Sequence, residues 1–265
     1  MNLKKIITKI SFCIILQIIS TQYLYSLNKI VDHKPLNGKF CNNYGKYGYV
    51  GQSDYYLCRD GYAVAYNCTS KQPNYVVYIL TKKSVLKYIK RKNQFSPDLS
   101  LPKKCQSQLS DYRKSGFDRG HLTPYASIDF SPRSAKQSFL LSNISPQRAG
   151  LNRKGWAKLE QIVRSWAIKK RILYVYTGVI FDDDKNKTIG PNKVIIPKYF
   201  YKVIYAPKLK KVLAFLMPNK YVPATKQAII NSQVSVKEIE DLTGYNFFPN
   251  LPGTKKNKKN KLWAF

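Results

Sequence analysis

Acidic side chains are scarce in this chain. Only 14 of its 265 residues are Asp or Glu, against 46 Lys or Arg, which leaves a net charge of +32. A field of that sign draws in polyanions, so nucleic acids or anionic envelope polymers are the partners it suits. Histidine is scarcer still, with only His33 and His121. The five cysteines include no Cys-x-x-Cys pair, and the histidines do not stand at ligand spacing, which argues against a zinc site. The longest early apolar run, Ile10 to Ile19, is too short for a comfortable membrane span.

That run follows Lys4, Lys5 and Lys9 and precedes small and polar residues, the pattern of a secretory signal peptide over residues 1–26. Its removal would take away three lysines and no acid, leaving +29. The expected location is secreted or periplasmic. Four cysteines would remain, Cys41, Cys58, Cys68 and Cys105, an even set that points to two disulfides with three possible pairings.

Residues 27–60, rich in Tyr, Gly and Asn, read as an irregular N-terminal arm. Gly61–Tyr66 and Tyr75–Leu80 read as a β-hairpin across a turn through Lys71–Asn74. Ser84 to Lys92 suits a short helix or a phosphate-facing edge, and Ser138–Asn143 a buried strand. Asn152 to Ile168 is the clearest helix, with Trp156, Leu159, Val163 and Trp166 at helical spacing. Ile172–Thr177, Lys193–Tyr205 and Val212–Met217 read as further strands. Ser235-Val236-Lys237-Glu238 matches a capping box that opens a helix ending at Gly244. Strands outnumber helices in an irregular order, so the expected fold class is α+β with a mainly antiparallel sheet. The expected organisation places a catalytic domain at 61–253 and a mobile basic tail at 254–265.

The residues that carry chemistry surround His121. Asp118-Arg119-Gly120-His121 combines the side chain best suited to act as a base near neutral pH with a fixed cation able to grip phosphate. Glycine between them allows a turn or a close backbone approach to a ligand. Asn152 opens the clear helix, where it suits an N-cap or a neutral oxygen ligand for a hard cation. Glu160 lies eight residues on, about 12 Å along a helix, so one ion cannot bind both directly. It suits either the orientation of a metal-bound water or a surface ion pair with Lys158, Arg164 or Lys169.

Ser115-Gly116-Phe117-Asp118-Arg119-Gly120-His121-Leu122, Ser142-Asn143-Ile144-Ser145-Pro146-Gln147 and Leu151-Asn152-Arg153-Lys154-Gly155-Trp156 with Leu159-Glu160 together resemble the endonuclease G-like DNA/RNA non-specific endonucleases. These enzymes have a ββα-metal active site. The resemblance extends loosely over residues 60 to 250. It implies that His121 is the general base, Arg119 the transition-state clamp and Asn152 the direct ligand of Mg²⁺ or Mn²⁺. It further implies that Glu160 orients metal-bound water and that Asn143 supports the site. The implied activity is hydrolysis of DNA and RNA phosphodiester bonds with little sequence specificity, leaving 5′-phosphates. A non-catalytic, basic nucleic-acid-binding protein of the envelope or matrix is the rival that charge alone allows. Thr123-Pro124-Tyr125-Ala126 departs from the family pattern, and Tyr125 is expected to alter the groove.

Overall fold

The computed structural model describes residues 30–31, 41, 44–48, 50–182, 187–251 and 256–263. The expected signal segment, 1–26, lies outside them. The fold is α+β around an antiparallel sheet. In spatial order the sheet carries β1 (Tyr55–Cys58), β2 (Tyr62–Asn67), β3 (Gln72–Thr81), β6 (Ile172–Ile180), β7 (Tyr199–Ala206), β8 (Lys211–Pro218) and β9 (Gln233–Val234). A second, two-stranded ribbon pairs β4 (Asp118–His121) with β5 (Ile144–Gln147).

Strand alternation sends side chains to both faces, and both are covered. On one face Val76, Tyr78, Val175, Phe200, Ile204 and Phe215 pack against Trp156, Leu159, Val163 and Trp166 of the long helical segment. On the other, Tyr75, Val77, Tyr176, Tyr201 and Val203 meet Val236 and Ile239 of α2 (Val236–Thr243) and the rings of Phe247 and Phe248. Two-sided burial explains why the central strands carry almost unbroken apolar runs. Most tyrosines serve this packing, and among the described residues Tyr88 and Tyr221 are the exposed ones.

Several local readings change. Tyr55–Cys58 is a sheet strand inside the segment read as irregular. β3 begins at Gln72 and runs through Pro73, so the hairpin turn lies earlier than expected. Ser138–Asn143 is not a strand: Leu141–Asn143 is a 3₁₀ turn, and the strand is Ile144–Gln147. Lys193–Tyr205 divides, because Val194–Ile195 pairs with Thr188–Ile189 and only Tyr199 onward joins the main sheet. Of the stretch Ser84 to Lys92 only Ser84 and Val85 are helical, as the end of a short helix Lys82–Val85. The Ser235 cap and the left-handed Gly244 end α2 as read, with the Ser235 hydroxyl accepting from the Glu238 N–H.

The cysteines pair as Cys41–Cys58 and Cys68–Cys105. The second bridge ties the end of the β2–β3 hairpin to the loop leading toward β4. The described part of the basic tail packs on the domain. The Lys237 N–H donates to the Lys256 carbonyl, Gln233 donates to the Asn260 carbonyl, and Trp263 lies 5.1 Å from Trp166, edge to face. Among the described residues no helix is long and apolar enough to cross a membrane.

Candidate active site

Period-two alternation on β4 puts Arg119 and His121 on one face and Asp118 on the other. Arg119 and His121 share an aromatic neighbour. The Arg119 guanidinium lies 4.4 Å from the centroid of Phe95, and the His121 ring lies 5.4 Å from Phe95 and 5.2 Å from Phe139. The Nε2 of His121 is buried and has no hydrogen-bond partner. Burial, then the cations Arg91 and Arg119, push the imidazole down to about 3. The ring is therefore neutral.

Gly120 serves packing within the ribbon, where close ligand approach or a turn was expected. A Cβ there would lie 2.4 Å from Gln147 Oε1 and 2.6 Å from its Cβ. Beyond the ribbon, Asn143 is fully buried and commits its whole amide to backbone. Its Oδ1 accepts from the Thr123 N–H at 2.9 Å, and its Nδ2 donates to the carbonyls of Thr123 and Ser138, each at 2.9 Å. Asn143 thus pins the chain that follows His121 and does not itself face the site.

Past β5 the chain enters a π-turn, Leu151–Trp156, that leads into α1 (Ala157–Lys170). Gly150, not Asn152, occupies the N-cap, so the capping reading of Asn152 falls. The Nδ2 of Asn152 donates to Asp118 Oδ2 at 2.9 Å, and Arg153 grips the same carboxylate through Nε at 2.8 Å and Nη2 at 2.6 Å. Burial works against the Asp118 carboxylate, but the hydrogen bonds from Arg153 and Asn152 outweigh it and hold it below its ordinary range. With its amide nitrogen engaged, Asn152 keeps its carbonyl oxygen for a ligand. Among the described residues no group of three or more His, Cys, Asp or Glu gathers. The Asn152 carbonyl is a neutral oxygen of the kind that hard cations accept.

Glu160 sits one turn beyond Trp156 on α1. Burial raises its carboxyl, opposed first by Lys202 and then by Arg164 and Arg91. It is a half-buried carboxylate among cations. Three of these cations escaped the sequence reading as site residues. Arg91 hides in a basic run, yet its guanidinium lies 5.4 Å from the rings of both Tyr125 and Phe139. Tyr125 also donates to the Ile89 carbonyl, which braces the Arg91 segment, and it lines a surface pocket with Ile89, Gln94 and Phe139. Arg164 stands at i+4 from Glu160, a spacing that could have revealed it. Lys202 is a lone lysine in the apolar strand Tyr199–Ala206, which was its visible signal.

The sequence profile of the DNA/RNA non-specific endonucleases matches residues 42–254, reaching into the segment read as a separate arm. Nuclease 1, mitochondrial, of Schizosaccharomyces pombe is 33% identical, covering 81% of this chain and 71% of its own. Nuclease C1 of Cunninghamella echinulata var. echinulata is also 33% identical, over 78% of this chain and 87% of its own. The crystal structure of the EndoG/EndoGI complex, described as showing the mechanism of EndoG inhibition, contains a similar chain. Its TM-score is 0.73 at 31% identity, covering 81% of this chain and 95% of that one. Relatives from Schizosaccharomyces pombe, Saccharomyces cerevisiae and Homo sapiens are named mitochondrial nucleases, which overturns the expectation of a secreted or periplasmic protein.

Proposed function

This chain belongs to the DNA/RNA non-specific endonuclease family, and from that premise we propose that it cuts DNA and RNA with His121 as general base and Mg²⁺ as cofactor. The observation that carries the reading is the unpartnered, buried Nε2 of His121 beside Arg119, on the same face of β4. A neutral imidazole with a free nitrogen can take a proton, and burial, helped by Arg91 and Arg119, keeps it neutral.

In the proposed step the Nε2 of His121 removes a proton from water. The oxygen forms a bond to phosphorus, and the bond from phosphorus to the 3′-oxygen breaks. Arg119, exposed and anchored on Phe95, stabilises negative charge developing on the phosphoryl oxygens. Asn152, aimed by Asp118, would hold the metal, with Glu160 orienting water around it. When bound, the metal would neutralise charge on the phosphate and the leaving oxygen. Asn143 positions His121 through the backbone that follows it. Lysine and arginine contacts to phosphate carry no sequence information, which agrees with a non-specific substrate range.

His121→Ala tests this reading. Nicking of plasmid in Mg²⁺ should fall by about 10²–10⁴-fold, the usual worth of a general base. Binding in a gel shift should persist, because the basic charge remains. A folded variant that nicks as fast as the parent removes His121 as the base.

A further inference from the structure

Lys202 is the single charged residue of β7 and has no solvent exposure. It shares a strand face with Phe200 and Ile204, which pack toward α1, so it lies beneath the helix that carries Glu160. Its Nζ donates to Tyr78 OH at 3.0 Å and to Thr177 Oγ1 at 2.6 Å. It also lies 4.8 Å from the centroid of Trp156, four residues before Glu160.

A buried ammonium is costly unless paired, and an apolar side chain of similar shape would fill this space without that cost. Packing therefore does not account for the charge. Among the described residues, the acid that acts on it is Glu160. Arg164 from the same helix opposes it, and Arg91 reaches Glu160 from outside the sheet.

Resting on the endonuclease reading above, we infer that Lys202 is a positioning residue: its ammonium, seated on Tyr78 and Thr177, holds the Glu160 carboxylate in charge and place from behind the site. Burial pushes Lys202 down to about 7, with Glu160 pulling the other way. Lys202 acts only through Glu160, so its effect must vanish where Glu160 carries no charge.

The test is a double-mutant cycle with steady-state cleavage of an oligonucleotide in Mg²⁺. Lys202→Met should lower kcat by about 10–100-fold, the usual cost of losing a partner that orients a site group, with KM nearly unchanged. In a Glu160→Gln background the same change should alter kcat by less than about threefold. A merely structural lysine would lower both backgrounds alike. If Lys202→Met fails to fold, Tyr78→Phe removes one acceptor and leaves the charge. It should lower kcat by about threefold to tenfold, again only where Glu160 is intact. An unchanged kcat in the substituted protein, or equal losses in both backgrounds, overturns the inference while the endonuclease reading stands. A parent that fails to cut with any divalent metal overturns that reading, and the inference with it.

Discussion

Asp118 Oδ2 accepts the Asn152 amide N–H at 2.9 Å, joining two residues 34 positions apart and setting which end of the Asn152 amide is free. The same carboxylate holds Arg153 with two hydrogen bonds, so one acid of β4 orders the whole entry to the π-turn.

Asn152→Ala should therefore separate a ligand from a cap. Because Gly150 holds the N-cap, the loss of about 0.5–2 kcal/mol expected for a lost cap should not appear in a melting curve. A magnesium titration of nicking should instead shift to higher concentration with a lower plateau. Asp118→Ala should shift the titration in the same direction by about 10–100-fold, as expected when the partner orienting a ligand is lost. A normal magnesium requirement in both variants would remove Asn152 as the ligand.

The depressed His121 makes a stability prediction with a definite sign. The folded ring titrates at about 3 against an ordinary 6.5, so between these values the unfolded chain binds the proton and the folded chain does not. This contribution to stability is complete above about pH 6.5 and is lost as pH falls toward 3. Urea unfolding at pH 7 and at about pH 4.5 should show a larger fall for the parent than for His121→Asn. Parallel falls would mean that burial, Arg91 and Arg119 do not depress the ring. For the same reason, no rise in cleavage centred near pH 6.5 should trace to His121.

The seated end of the chain predicts a stability role for Trp263. It is 6% exposed and packs edge to face on Trp166 in the core beneath α1. Trp263→Ala should cost about 3 kcal/mol or more, read from the denaturant midpoint. The salt dependence of DNA binding should hardly change, since no charge is removed. A variant as stable as the parent would show that this end contributes nothing to the core.

What the sequence determined by itself was local or periodic. The strands of the β2–β3 hairpin, the Ser235 cap, the Gly244 terminus and the Trp156–Trp166 face all follow from spacing within a few residues. Asp118-Arg119-Gly120-His121, with Asn152 and Glu160 beyond, stood out by side-chain chemistry and by resemblance to the family. Tertiary structure decided the rest. The pairing of Cys41 with Cys58 and Cys68 with Cys105 depends on which loops the sheet brings together. The π-turn at Asn152, the full engagement of Asn143 and the fit of Gly120 against Gln147 depend on contacts across the ribbon. Lys202 and Arg91 look like ordinary basic residues in the sequence. Packing alone takes Lys202 out of water beside Glu160 and lays Arg91 over Phe139, and a charge has its meaning in this protein from the side chains that replace its water.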